Sequence, residues 1–176
     1  MENPPEFQDR RPPVTADLTE KSKYFDEHPE EVRPEDMNNF LLWMPGSGYK
    51  ENISGGKSFS EPRNKRASDI AHSELWRNQS AAEFFDLMEK AFREAPIDHA
   101  SIDPLMAART ILPQQISNIE KSLEQKPDPE TAKQLRTLQQ RLIQENSELP
   151  QKLRQALIPL YQYLRQQGYT HYDLVG

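Results

Sequence analysis

The chain has 176 residues, a formal net charge of −6, no cysteine and a mean hydropathy of −0.92. The lack of cysteine excludes disulfides, thiolate zinc sites and cysteine nucleophiles. The amino terminus has no apolar run like that of a signal peptide, and the longest apolar run in the chain, five residues, is far below the ~20 residues that cross a bilayer, which predicts a soluble, intracellular and cytoplasmic protein.

Charge and proline divide the chain near residue 76. Residues 1–76 contain 15 acidic and 10 basic side chains, a net charge of −5, together with eight of the 15 prolines. Residues 77–176 contain 13 acidic and 12 basic side chains, a net charge of −1. An acidic, proline-rich segment buries too little apolar surface to offset a backbone entropy cost of ~1–2 kcal/mol per residue. The composition therefore predicts a long, extended and largely irregular N-terminal tail over residues 1–76, without a core of its own.

A short amphipathic motif at 34–45 interrupts the predicted tail. A first-turn proline followed by two acidic residues favours one or two helical turns over 34–43, which Pro45 ends. The motif contains the strongest apolar cluster of the first half: Phe40, Leu41, Leu42, Trp43 and Met44. Such a cluster in a segment of disordered composition is typical of a docking motif, because tryptophan is favoured at interface hot spots. Two interpretations stay open: docking on a partner, or packing against the protein's own helices.

The glycine-rich stretch that follows the motif resembles a phosphate-binding loop only at its end. Gly56-Lys57-Ser58 matches the last three positions of that loop, but Glu51 occupies the position of its first glycine. Neither the apolar strand before the loop nor the helix after it is present in the sequence. We therefore predict a flexible segment and no nucleotide site.

A basic cluster near residue 65 is the candidate for electrostatic contact with a partner. It consists of Arg63, Lys65 and Arg66, with Lys57 nearby. Basic side chains neutralise phosphates, but the whole chain is acidic and acidic residues flank the cluster. Contact with an acidic patch on a protein is therefore preferred, and nucleic-acid binding through residues 57–66 is an alternative.

The second half has the apolar spacing of α-helices. Helix-start signals lie at Ser80, Asp103, Asp128 and Ser147, where a capping side chain precedes a glutamate or a first-turn proline. We predict helices over about 80–95, 104–125, 129–146 and 148–167. The second of these should bend at Pro113, which lacks an N–H donor.

Leucines recur at three- and four-residue spacing through residues 135–164, which span the last two predicted helices. The loop at 125–128 is short, so the helices beside it should be antiparallel. The leucine face is interpreted as bundle core, and homo-oligomerisation through it stays open. After the helices, Gly168 fits the left-handed position past a helix end, and residues 169–176 are expected to form a short strand or an extended peptide. The predicted fold is mainly α: a small C-terminal helical bundle or hairpin, residues 77–176, preceded by the tail.

The sequence contains no specific motif for a catalytic or a metal-binding site. No two of the four histidines have the i, i+4 spacing of a metal site on one helix, and no serine lies in a nucleophile-elbow pattern. His28 lies among acidic residues that could bind a cation weakly, but a solvated charge cluster is the preferred interpretation. We predict no catalytic, cofactor-binding or metal-binding residues, and no enzyme.

These observations favour a non-enzymatic protein–protein interaction subunit, such as an accessory, assembly or scaffold component. Its N-terminal tail would dock on a larger multi-subunit assembly, because disordered segments cover large surfaces. Two alternatives are a nucleic-acid-associated regulatory protein that uses residues 57–66, and an enzyme with a site between the helices.

Overall fold

The computed structural model describes residues 9–37, 39–44, 73–77 and 81–176. Within these ranges the chain forms seven α-helices, three 3₁₀ turns and no strand, so the prediction of a mainly helical protein is confirmed. The α-helices are α1 (Leu18–Glu27), α2 (Glu74–Arg77), α3 (Ala81–Glu94), α4 (His99–Glu124), α5 (Pro129–Ala156), α6 (Ile158–Gln166) and α7 (His171–Val175). The 3₁₀ turns are Pro29–Glu31, Pro34–Asp36 and Phe40–Trp43.

The two longest helices, α4 and α5, pack against each other as a hairpin. They contain 26 and 28 residues, which corresponds to lengths of ~39 and ~42 Å. Asp128 ends the short loop between them and caps α5, accepting a hydrogen bond from the backbone N–H of Thr131 at 3.1 Å. This start agrees with the predicted one, because an aspartate before a first-turn proline satisfies the free amides of a helix end.

Helix α4 begins earlier than the predicted residue 104. It begins at His99, after Asp98, whose carboxylate accepts a hydrogen bond from the Ser101 hydroxyl at 2.7 Å. Ile102 is buried in the core, and this contact favours extending the helix back across Pro104. Pro113 also lies inside the helix without ending it.

The break predicted at Ser147 is wrong. Helix α5 continues through Pro150 to Ala156 because Leu149 and Leu153, on either side of the proline, are both buried in the core. The chain breaks instead at Leu157, between α5 and α6. Pro159 then lies in the first turn of α6, where a missing N–H costs little.

The C-terminal residues form a helix and not the expected strand or extended peptide. Gly168 has a positive φ of 105° and follows α6, as predicted. The N–H of Gly168 bonds to the carbonyl of Arg165, and that of Tyr169 to the carbonyl of Leu164, which is the Schellman pattern. The turn leads directly into α7, whose N-cap Thr170 and third helical residue Asp173 form a capping box.

The described part of the first half is folded. The expectation of extended chain does not hold for α1 and the turn Pro29–Glu31, whereas the other two 3₁₀ turns lie in the motif at 34–45, where helical turns were predicted. Phe25, Val32 and Met37 share one core with the helices of the second half. The composition of residues 1–76 hid this because the apolar side chains are concentrated between residues 25 and 44. Residues 1–8, 38 and 45–72, for which an extended tail was also predicted, lie outside the described ranges.

The core defines two parts of the molecule. The body contains α1, the 3₁₀ turns, α3, α6, α7 and the ends of α4 and α5 that meet them. The arm is the rest of the hairpin, residues 113–148. Within the arm only Ile119 and Ala132 are buried, and neither belongs to the core of the body, against which the half-buried Leu142 packs. The arm therefore projects from the body as a two-helix structure.

Candidate functional site

The apolar cluster Phe40–Met44 lies in the body. Four of its five side chains are buried and Leu42 is half-buried. The ring of Trp43 packs edge-on against Phe84 of α3, with the centroids 4.6 Å apart, and Phe40 packs edge-on against Tyr161 of α6 at 6.2 Å. Of the two interpretations, packing against the protein's own helices therefore describes the folded chain. Partner binding by this cluster would require it to leave the core.

Hydrogen bonds connect the motif at 34–45 to the base of the hairpin. Arg109 of α4 donates to the carbonyl of Leu41 at 3.2 Å. Gln151 of α5 donates to the carboxylate of Glu35 at 2.7 Å. The predicted docking motif is thus part of the joint between body and arm.

The basic residues predicted to contact a partner, Arg63, Lys65 and Arg66, lie outside the described residues, as does Lys57. Their contact with a partner stays a prediction.

Three large apolar side chains of the hairpin that the sequence pattern assigned to the core are exposed in the structure. Leu138 is 43% exposed, Ile143 is 48% exposed and Ile111, at the base of the arm, is 49% exposed. Leu138 has the same leucine spacing as the fully buried leucines near residue 157. Leu138 differs only in lying beyond the end of the body, which local spacing does not encode.

An open groove of ≈ 460 Å³ runs between α4 and α5 on the arm. Leu138, Leu142 and Ile119 supply its apolar part. Its polar part comes from Gln115, Asn118, Arg141 and Glu145. Ile111 lies one helical turn before Gln115 on the same face of α4 and extends the apolar surface towards the body.

The charges on this side of the arm are balanced. Arg141 and Glu145, which border the groove, form an exposed ion pair with 3.4 Å between Nε and Oε1. A second depression of ≈ 360 Å³ continues along α5 and adds Lys133 and Glu130. The four side chains carry no net charge. The surface is therefore amphipathic and is not matched to a strongly acidic or a strongly basic ligand.

A buried polar centre joins the last two helices of the body, α6 and α7. The His171 ring nitrogen Nδ1 lies 2.7 Å from the Tyr161 hydroxyl, and both side chains are fully buried. Burial lowers the pKa of His171 to about 3, and burial raises the pKa of the Tyr161 hydroxyl above its usual range. Both groups are therefore neutral at physiological pH. His171 is therefore a packing residue of the body.

An ion-pair cluster next to this centre stabilises the N-terminal segment. The carboxylate of Asp36 lies 3.1 Å from Lys21 Nζ and 2.7 Å from Arg33 Nε. Burial alone would raise the pKa of Asp36, but hydrogen bonds from Arg33 and Lys21 outweigh it and lower the pKa. Arg33 also donates to the backbone carbonyl of Pro12. These charges satisfy one another and serve the fold.

One group of metal-ligand type occurs among the described residues. The side chains of His28, Glu30 and Glu31 have ligand atoms within 4.8 Å of one another, and the Tyr24 hydroxyl donates to Glu31 at 2.8 Å. All three side chains are exposed or half-buried. This is the setting of a solvated charge cluster, the interpretation preferred from the sequence.

Comparison of the chain with protein-family models, with curated proteins and with solved structures found no match. Among the helices of the described ranges, none combines the length and the apolar character needed to cross a membrane.

Proposed function

We propose that the chain is a non-enzymatic protein–protein interaction subunit of a larger assembly and that the arm makes the principal contact. The observation that carries the proposal is the exposure of Leu138, Ile143 and Ile111 on a hairpin whose distal part takes no share in the core of the body. Large apolar side chains on a projecting helical element are typical of a surface that is covered in a complex.

The energetics favour this assignment. Burial of apolar surface contributes ~25 cal/mol per Å², and a two-helix hairpin cannot bury both helices' apolar faces by itself. Adding one or two helices across the groove would complete a bundle of the usual kind. The body meanwhile has its own core and its own polar network, so the arm is free to engage a partner without unfolding the body.

The character of the groove supports binding over catalysis. It is open to solvent, and its one acid–base pair, Arg141 with Glu145, is internally matched. Catalytic sites instead enclose convergent polar groups with perturbed pKa values. The alternative of an enzyme with a site between the helices therefore has less support in this part of the chain.

The N-terminal tail has a smaller docking role in this proposal than in the prediction from sequence. Packing of Phe40–Met44 in the body leaves residues 45–72 as the segment that would dock, and these lie outside the described ranges. The basic residues at 57–66 would then add electrostatic attraction to an acidic protein surface.

The proposal is tested by comparing Leu138→Glu and Ile143→Glu with the control Gln140→Glu in the full-length protein. Gln140 lies on the same helix, is exposed and lines neither depression. Each apolar-to-glutamate variant should reduce recovery of a stoichiometric partner, or of a second, differently tagged copy, by about tenfold, because it places a charge in an apolar contact. The control should retain the partner, and all melting temperatures should agree.

The proposal fails if both glutamate variants recover every stoichiometric partner, and the second copy, as well as the control does. The nucleic-acid alternative is tested on the same preparations by titrating salt against binding to random-sequence DNA and RNA. Absence of binding at low salt would exclude it.

A further inference from the structure

The second depression on the arm follows a single helix. Its lining residues recur at every third or fourth position of α5 and therefore form one stripe on its surface. We call these residues the α5 stripe: Glu130, Lys133, Gln134, Thr137, Leu138 and Arg141. All six are exposed, and the stripe has no partner in the described part of the chain that covers Leu138.

The two ends of the α5 stripe carry opposite charges. Glu130 lies at its N-terminal end and Arg141 at its C-terminal end, ~16 Å apart along the helix. Between them lie the basic Lys133, the polar pair Gln134 and Thr137, and the apolar Leu138. A partner of uniform charge would match one end of such a stripe and be repelled by the other.

We propose that the α5 stripe pairs, antiparallel, with the α5 stripe of a second copy of the chain. This inference rests on the proposed function, because it names the partner that covers this face of the arm. The twofold axis would pass between Leu135 and Arg136, the midpoint of the stripe. A twofold axis repeats every contact, so each favourable pair occurs twice.

In this register the stripe is complementary to itself. Arg141 of one copy lies opposite Glu130 of the second copy. Leu138 lies opposite the aliphatic part of Lys133, which can cover apolar surface while its ammonium group stays in water. Gln134 lies opposite Thr137. Beyond the stripe, Glu145 faces the loop that carries Lys126, which adds a further pair of opposite charge.

Charge reversal tests the pairing in the full-length protein. Glu130→Arg alone, or Arg141→Glu alone, replaces two attractive contacts per dimer with two repulsive ones and should weaken self-association by about tenfold. The double variant Glu130→Arg/Arg141→Glu restores opposite charges between the copies, although it removes the Arg141–Glu145 ion pair within each copy, and it should associate more tightly than either single variant. Sedimentation equilibrium over a range of concentrations measures all four proteins, and the wild-type dimer should weaken as salt is raised.

Cross-linking tests the register independently. The natural chain has no cysteine, so single cysteines can be introduced without background. A mixture of Gln134→Cys and Thr137→Cys proteins should form the mixed disulfide faster than either protein forms its own. Arg136→Cys, exposed but on a different side of the helix from the stripe, should not cross-link.

A wild-type chain that remains monomeric at every concentration would overturn the inference. So would a double charge variant that dimerises no better than the single variants, or cross-linking that is as fast at residue 136. The proposed function would survive each of these results if Leu138→Glu or Ile143→Glu still released a different protein partner. If neither glutamate variant released a different protein partner but the dimer formed as proposed, the second copy would be the one supported partner of the arm.

Discussion

At the scale of single residues, burial decides the chemistry of the ionisable groups. His171 is wholly enclosed, contacts the Phe25 ring with centroids 5.1 Å apart and is hydrogen-bonded by its side chain to Tyr161. Its Nε2 has no hydrogen-bond partner in the described structure. The charged groups that act on it most are Asp36, Arg165 and Lys21. A protonated imidazole at this position would lose its hydration and would gain little electrostatic stabilisation in return.

The first prediction concerns acid stability. Burial lowers the pKa of His171 from 6.5 to about 3 in the folded chain, so below pH 6.5 the unfolded chain binds a proton that the folded chain does not. This contribution to stability is complete above pH 6.5 and is lost as pH falls from 6.5 towards 3, by at most about 1.4 kcal/mol per pH unit. Urea unfolding between pH 7 and 5 should show this slope, and His171→Gln should reduce it. An unchanged slope in the variant would contradict the assignment.

Exposure is the residue property that the sequence predicted least well. Leu138 and Leu153 have equivalent places in the leucine pattern, yet Leu153 is buried and Leu138 is 43% exposed. Periodicity identifies the apolar face of a helix, but whether something covers that face depends on the tertiary arrangement. Arg141 and Glu145 were missed for the same reason, since they matter only once the adjacent leucines are known to be exposed.

At the scale of elements, helix starts with a strong local signal were predicted and those that depend on tertiary packing were not. Asp128 followed by Pro129 begins a helix in the sequence and in the structure. Gly168 ends one in both, because its positive φ has a local stereochemical cause. The helix start expected at Asp103 and the break expected at Ser147 do not occur, because packing in the core outweighs the local cost of Pro104 and Pro150 inside the helices.

The second prediction follows from this conflict in α5. Pro150 is exposed within the helix and removes the N–H that would bond to the carbonyl of Asn146. Pro150→Ala should restore that donor and stabilise the protein by about 1–3 kcal/mol. Pro159→Ala is the matched control and should change stability by less than about 0.5 kcal/mol, because residue 159 lies in a first turn where the N–H has no helical acceptor. Equal effects in chemical denaturation would show that helix continuity is not under strain at Pro150.

At the scale of the whole molecule, one core joins the two halves that composition separated. Phe25, Phe40 and Trp43 from the first half pack with Phe84, Tyr161 and other side chains of the second half. An average over 76 residues could not reveal this, because entropy is offset locally, wherever enough apolar surface is concentrated. The arm, by contrast, was predicted as core and lies outside it.

The third prediction tests this shared core. Trp43 is 2% exposed between Phe84 and Phe85, so Trp43→Ala should destabilise the protein by about 3–5 kcal/mol through loss of apolar contacts and creation of a cavity. Leu42→Ala, at a half-buried neighbouring position, should cost clearly less. Thermal unfolding measures both variants. An unchanged melting temperature in Trp43→Ala, with a partner lost, would return this motif to the role of a docking segment.

The contact between α1 and α7 has a further consequence, for the order in which the molecule gains its structure. The Asp26 carboxylate accepts a hydrogen bond from the backbone N–H of His171 at 2.9 Å, across 145 positions of the chain. A contact between such distant residues forms only after most of the chain between them is ordered, because closing so long a loop costs conformational entropy first. The two helices of the hairpin, α4 and α5, are joined by a loop of a few residues, so their pairing begins with little loss of loop-closure entropy. The part of the molecule that faces outward is therefore the part whose formation depends least on the rest.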